Sequence, residues 1–110
     1  MKYTVETTKR FDKAFALCRK RGYKMENLRK VIELLEESGS LPSKYKPHKL
    51  SGFYPDKGTE HRLLKSNEVR KGNRTWECHI EPNWLLVWEQ NDMRLTLLML
   101  DTGTHADLFR

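Results

Sequence analysis

The sequence predicts an α+β domain in which two N-terminal helices pack on a curved, mostly antiparallel sheet of about four strands. Two observations predict this fold. Two amphipathic segments follow one another in the N-terminal part of the chain, and three strand-like segments separated by turn residues follow in the C-terminal part. A length of 110 residues is typical of one domain, so we expect residues 1–110 to form a single unit.

The chain opens with a short strand pattern and a helix pattern. Over residues 2–5, Tyr3 and Val5 share one face, and we expect this strand to pair with the last strand of the sheet. Thr7 or Thr8 is then placed to cap a helix that Gly22 ends. The apolar positions of this helix have the three-and-four spacing of a buried stripe: Phe11, Ala14, Phe15 and Cys18.

A second helix is predicted over residues 25–37, with Gly39 as its C-terminal stop. Its apolar residues fall on one side: Met25, Leu28, Val31, Ile32 and Leu35. We interpret the stripes of both helices as core packing and not as binding surfaces.

Regular patterns fade over residues 38–74, where Pro42, Pro47 and Pro55 interrupt them. Two local alternatives stay open, a helix over residues 59–67 capped by Thr59 or a strand over residues 63–69. We interpret the segment as an extended basic loop with possible local structure.

A three-strand meander is predicted after this loop. In residues 76–80, alternation places Trp76, Cys78 and Ile80 on one face and Glu77 and His79 on the other. Turns at residues 82–83 and 91–92 separate further strands over residues 84–89 and 94–100. The run LTLLML is apolar at nearly every position, so we expect a central strand covered on both faces.

Composition points to a soluble cytoplasmic protein with polyanionic partners. No apolar run approaches the roughly 18 residues of a membrane span, and the N-terminus lacks the apolar core of a signal peptide. The 21 Lys and Arg residues against 15 Asp and Glu residues give a formal charge of +6, which favours nucleic acid or an acidic protein as partner. Cys18 and Cys78 lie in apolar periodic segments, so we expect free buried thiols and a reducing compartment.

Three histidines occupy settings suited to catalysis. His48 lies in the loop YKPHKL, His79 on the polar face of a strand, and His105 directly after the apolar strand. Cleavage of RNA by its own 2′-hydroxyl needs one group to remove a proton and another to protonate the leaving 5′-oxygen, and histidine does both near neutral pH. Cations near the phosphate would stabilise the phosphorane, and the candidates are Lys46, Lys49 and Arg74. This chemistry requires no metal.

A metal site is the competing interpretation of the same residues. His48, His79, His105 and Glu77 are suitable ligand types, but the sequence has no close ligand pair such as HxxxH. We rank this alternative below acid-base chemistry.

The blocks YKPHKLSG, WECHIEPNWLLVW and DTGTHADLF follow in that order behind the two predicted helices. Together they resemble the YafQ branch of the RelE-type toxins of bacterial type II toxin-antitoxin systems, over most of the chain. The resemblance implies a ribosome-dependent messenger RNA endonuclease that contacts ribosomal RNA and is inhibited by a cognate antitoxin, a small DNA-binding dimer. By position it implies these active-site residues: His48, Glu77, His79, Asn83, His105 and Phe109. In that assignment His105 is the general acid, His48 and His79 orient or activate the substrate, and Phe109 stacks on a base.

The chain departs from the family pattern at several positions. Asn83 stands where aspartate is common, and an amide cannot accept a proton as a carboxylate does, so Glu77 or His48 would have to be the base. Trp76 stands where arginine can occur, which shifts phosphate stabilisation to Arg74 or a nearby lysine. A basic insertion at about residues 53–74 is interpreted as a solvated loop, with contact to ribosomal RNA or antitoxin as the functional alternative. These departures keep open a second function, a toxin-like module that binds RNA or antitoxin without cleavage.

Overall fold

The predicted strand, two helices and three-strand meander are present in that order in a computed structural model that describes residues 2–50 and 73–108. The elements are β1 (Thr4–Thr7), α1 (Lys9–Lys20), α2 (Met25–Ser38), a 3-10 turn (Ser43–Tyr45), β2 (His48–Lys49), β3 (Asn73–Glu81), β4 (Trp84–Asn91), β5 (Thr96–Gly103) and α3 (His105–Leu108). The alternatives over residues 59–67 and 63–69, and the insertion up to residue 72, lie outside the described residues. Because β3 begins at Asn73, the last two residues of the expected insertion are part of a strand.

The described strands form one five-stranded sheet in the order β1-β5-β4-β3-β2. Strand β1 pairs with β5, as predicted, and runs parallel to it, whereas the other neighbouring strands are antiparallel. The sequence-based estimate of about four strands is therefore one too low. The extra strand, β2, has two residues, which is too short for any alternating pattern.

Both long helices have the ends that the sequence predicts. Thr8 caps α1, where its hydroxyl oxygen accepts a hydrogen bond from the Phe11 amide at 3.0 Å. Gly39 ends α2 in the left-handed region with φ of 72°, and its amide donates to the Leu35 carbonyl. A side chain at this position would also collide with the ring of Tyr3, since a Cβ atom there would lie 2.5 Å from it.

Apolar side chains cover the sheet on both faces. The face under α1 and α2 carries the larger cluster, which includes Leu28, Val31, Trp88, Leu97 and Met99. The opposite face carries a smaller cluster: Leu85, Val87, Leu100 and Leu108. Strand β5 contributes to both clusters, which confirms the prediction of a central strand covered on both sides.

Cys18 and Cys78 are buried free thiols, as expected. None of the helices in residues 2–50 and 73–108 combines the length and the apolar character that crossing a membrane requires.

Candidate active site

The sheet register brings two of the predicted histidines together. His79 on β3 is paired with Leu85 on β4, and Leu85 is paired with Gly103 at the end of β5. His105 follows two residues later, at the start of α3. Its ring lies 6.0 Å from the ring of His79, measured between centroids. Residues that are 26 positions apart in sequence thus share one surface, on the face of the sheet away from α1 and α2.

A second pair joins the edge strand to β3. His48 is paired with Glu77 across the antiparallel ladder, and the His48 Nε2 atom lies 3.1 Å from the Glu77 Oε1 atom. Glu77 and His79 are two residues apart on one strand, so their side chains share a face at a spacing of about 7 Å. The structure therefore places His48, Glu77, His79 and His105 in one region of the molecule.

The contacts of His48 involve both of its ring nitrogens. Its Nδ1 atom lies 3.1 Å from the carbonyl oxygen of Lys46, and its Nε2 atom faces the Glu77 carboxylate. Both neighbours are hydrogen-bond acceptors, and together the two contacts fix the orientation of the ring. Lys46 holds its carbonyl in place from a left-handed conformation with φ of 51°.

Glu77 is a buried carboxylate with incomplete hydrogen bonding. Its side chain is 6% exposed, and its Oε2 atom has no hydrogen-bond partner in the part of the chain that the structure describes. An unpaired buried polar atom of this kind lowers the stability of a fold. Glu77 thus contacts His48 through one carboxylate oxygen only.

His79 is oriented by the turn that follows its strand. The His79 Nδ1 atom lies 3.2 Å from the carbonyl oxygen of Pro82, which can only accept. A neutral His79 therefore carries its proton on Nδ1, and its Nε2 atom keeps the lone pair that a general base needs.

Two further residues, which the sequence-based prediction missed, position His105. Thr104 and Asp107 form a capping box around α3: the Thr104 amide donates to the Asp107 carboxylate at 2.9 Å, and the Asp107 amide donates to the Thr104 hydroxyl at 3.1 Å. Arg21, at the end of α1, donates to the same carboxylate at 2.8 Å. Arg21, followed by the Thr104 amide, holds the pKa of Asp107 below its usual range. The pattern Thr-x-x-Asp was the signal in the sequence that could have identified the box.

The predicted phosphate-binding residues divide between the two sides of the sheet. Lys46 lines a cleft together with His79. Lys49 is paired with Trp76, and its ammonium group lies 5.8 Å from the centre of that ring, which belongs to the helix-covered face. Arg74 alternates onto that face as well and donates to the Asn73 carbonyl. Lys46 is therefore the predicted cation that shares a cleft with a histidine.

The remaining two predicted residues lie elsewhere. Asn83 is exposed in the β3–β4 turn and lines a groove with Gly22, Tyr23 and Trp84, which adjoins the cleft of His79 at Glu81 and Pro82. Phe109 lies outside the described residues. Trp76, where the family can carry arginine, is stacked on Trp88 with 6.3 Å between the ring centroids, so it is part of the core.

Among the residues that the structure describes, no group of three or more His, Cys, Asp or Glu side chains is arranged to hold a metal ion. The four-ligand alternative of His48, Glu77, His79 and His105 thus has no geometric support here. What these side chains can do is move protons, since one imidazole presents a lone pair, another lies 6.0 Å away, and a charged pair is held beside them.

Comparison with known proteins identifies the family. Residues 3–65 and 55–110 match the model of the bacterial toxin of type II toxin-antitoxin system, YafQ. The mRNA interferase toxin YafQ of Escherichia coli K12 is 31% identical over 106 residues, which cover 96% of this chain and 94% of that protein.

Solved structures agree with the sequence comparison. In the E. coli DinJ-YafQ toxin-antitoxin complex, one chain matches at 30% identity with a TM-score of 0.73 and full coverage of both chains. A metal-bound toxin from Helicobacter pylori matches at 32% identity and a TM-score of 0.73, over 97% of this chain and 99% of that one. The archaeal RelE-RelB complex of Pyrococcus horikoshii, at 16% identity and a TM-score of 0.65 over 94% and 96% of the chains, shares the fold. The chain has a RelE-like fold and belongs to the YafQ family of bacterial type II toxins.

Proposed function

We propose that this toxin is a ribosome-dependent endonuclease that cleaves messenger RNA by a metal-independent attack of the 2′-hydroxyl on the adjacent phosphate. The observation that supports this most directly is the pair of His79 and His105 rings, 6.0 Å apart, beside the ion pair of His48 and Glu77. A phosphodiester placed between two imidazoles has a base on one side and an acid on the other. The curated E. coli relative is an mRNA interferase, which agrees with this chemistry.

In this mechanism His79 Nε2 removes the proton of the 2′-hydroxyl, and the 2′-oxygen forms a bond to phosphorus. The bond from phosphorus to the 5′-oxygen breaks, and His105 gives that oxygen its proton. The products are a 2′,3′-cyclic phosphate and a free 5′-hydroxyl. His48 is unsuited to be the base because both its ring nitrogens face acceptors.

Glu77 and Lys46 stabilise charge in this scheme. The Glu77 carboxylate, about 7 Å along the strand from His79, favours the imidazolium that forms there. Lys46, in the cleft of His79, faces the negative charge of the phosphorane. Asn83 orients groups by hydrogen bonding, and Phe109 stacks on a base, as the family resemblance implies.

The test is to map new 5′ ends of messenger RNA in a translating extract, with and without the toxin. We expect cleavage only in translated regions, absent with free RNA, and unchanged by a chelator that removes transition metals but leaves the ribosome's Mg²⁺ in place. Loss of cleavage on chelation would contradict the metal-independent mechanism, and the metal-bound H. pylori structure makes this control necessary. An intact message with a fully bound toxin would favour the non-cleaving module that Asn83 keeps open.

We further propose that the toxin is inhibited by a small antitoxin with an acidic or amphipathic segment, as the E. coli complex with DinJ suggests for that protein. The formal charge of +6 favours such a partner. Co-expression of an adjacent small acidic reading frame should relieve growth arrest. If no adjacent frame relieves it, the antitoxin proposal fails.

A further inference from the structure

A basic cleft extends from His79 towards the helices. It has a volume of about 410 Å³ and lies between α2, the 3-10 turn and the end of β3. It is lined by Asn27, Lys30, Lys44, Tyr45, Lys46, His79, Ile80, Glu81 and Pro82. Lys30 and Lys44 belong to this cleft and were not part of the predicted site.

Two separate segments of the chain contribute lysine side chains to the cleft. Lys30 comes from α2, while Lys44 and Lys46 come from the 3-10 turn and the residue after it, and all three are exposed. The Lys44 ammonium lies 5.1 Å from the centre of the Tyr45 ring, whose face favours a cation at that distance. The one acidic lining residue, Glu81, accepts a hydrogen bond from Asn27 at 2.9 Å. The cleft thus presents three cations against one carboxylate that already has a partner.

The cleft is continuous with the proposed catalytic groups. His79 lies on its wall, and the carbonyl of Lys46, another lining residue, holds His48 in place. When the scissile phosphate of an RNA strand lies at His79, the next phosphate lies on one side of His79 or on the other. On the side of this cleft, that phosphate meets Lys30 and Lys44, which bind phosphate as mobile point charges.

We propose that this cleft is a subsite for the messenger RNA phosphate next to the scissile one, with Lys30 and Lys44 as its cations. The inference rests on the proposed endonuclease function.

The experiment compares two doubly substituted proteins with equal loss of charge. Lys30→Gln with Lys44→Gln removes the cleft cations, and Lys9→Gln with Lys20→Gln removes two exposed cations of α1 as the control. Each protein is titrated onto ribosomes that carry messenger RNA with 2′-deoxy substitutions that prevent cleavage. The same titration is done with ribosomes that carry no messenger RNA, and both are repeated over a range of salt concentrations.

We expect the cleft variant to bind messenger-loaded ribosomes about tenfold more weakly than the control variant, and ribosomes without messenger RNA equally well. Loss of one single-strand phosphate contact should reduce the slope of log affinity against log salt by about 0.7. Thermal unfolding should be the same for both variants, because all four lysines are exposed.

Three results would overturn the inference. In the first, the cleft variant binds both kinds of ribosome as tightly as the control variant does. In the second, the cleft variant loses affinity equally for both kinds, which would indicate contact with ribosomal RNA. It could also lose affinity only for an acidic antitoxin segment. In each case the endonuclease proposal still holds if the wild-type protein produces new 5′ ends in messenger RNA. A wild-type protein that neither cleaves nor prefers messenger-loaded ribosomes contradicts that proposal itself.

Discussion

The ion pair of His48 and Glu77 predicts a stability change that depends strongly on which partner is removed. His48→Ala leaves the Glu77 carboxylate, 6% exposed, without the imidazole that faces its Oε1 atom. The other oxygen, Oε2, has no partner among the described residues to compensate. We therefore expect His48→Ala to destabilise the fold far more than the loss of its own packing would.

The magnitude follows from the exposure of the two partners. Removing one member of a fully buried pair lowers the free energy of unfolding by about 3–5 kcal/mol. The His48 side chain is 48% exposed, so water can replace part of it, and an expected loss of about 2 kcal/mol lies within the range for an unsatisfied charged group. Glu77→Met in the His48→Ala background removes the uncompensated charge beside Val87, its neighbour on β4. The double variant should return to within about 1 kcal/mol of wild type, because apolar replacement of a buried pair is often neutral or stabilising.

Urea unfolding of the wild type, both single variants and the double variant measures this coupling. A loss of about 2 kcal/mol corresponds to a fall in Tm of roughly 8–16 °C for a domain of this size. His105→Ala is the matched control, because it removes an exposed imidazole of the same proposed site. If His48→Ala proved no more destabilising than His105→Ala, or if Glu77→Met failed to restore stability, the assignment of a buried Glu77 charge would be wrong.

Three other predictions concern the scaffold. Thr8→Ala should lower the free energy of unfolding by about 1–2 kcal/mol, since it removes the cap of α1, whereas exposed Thr7→Ala should have little effect in the same urea titration. Asp107 has a pKa below its unfolded value, so its stabilisation is present above the unfolded pKa of about 4 and is lost as pH falls through the folded pKa. Asp107→Asn should therefore destabilise the protein at pH 7 by up to about 1 kcal/mol, and a difference from wild type that does not shrink as pH falls below about 4 would contradict this. Burial raises the pKa of the Cys78 thiol to about 12, so iodoacetamide should leave Cys78 unmodified in the native protein and modify it in urea, as mass spectrometry of the peptide would show.

Local pattern was enough to predict most of the scaffold. Helix periodicity and caps located α1 and α2, and alternation in β3 assigned Glu77 and His79 to the face opposite Cys78. These features depend on residues within a few positions of one another. They are therefore visible in one sequence.

Features that depend on distant partners were not predictable in this way. Strand β2 has only two residues and exists because His48 and Lys49 pair with β3. The same register turns Lys49 towards Trp76, which no local pattern could indicate. Arg21 and Asp107 are 86 positions apart and meet only in the folded chain. His48, His79 and His105 are far apart in sequence, and the family resemblance, not their spacing, predicts that they share a site.

The central claim is that His79 and His105 form the acid-base pair of a messenger RNA endonuclease. The most direct measurement is single-turnover cleavage of messenger RNA on programmed ribosomes by wild type and His105→Ala, with ribosome affinity measured in parallel. We expect His105→Ala to lower the cleavage rate by about 10²–10⁴-fold and to leave the ribosome affinity and the unfolding midpoint unchanged. Cleavage by His105→Ala at the wild-type rate would contradict it.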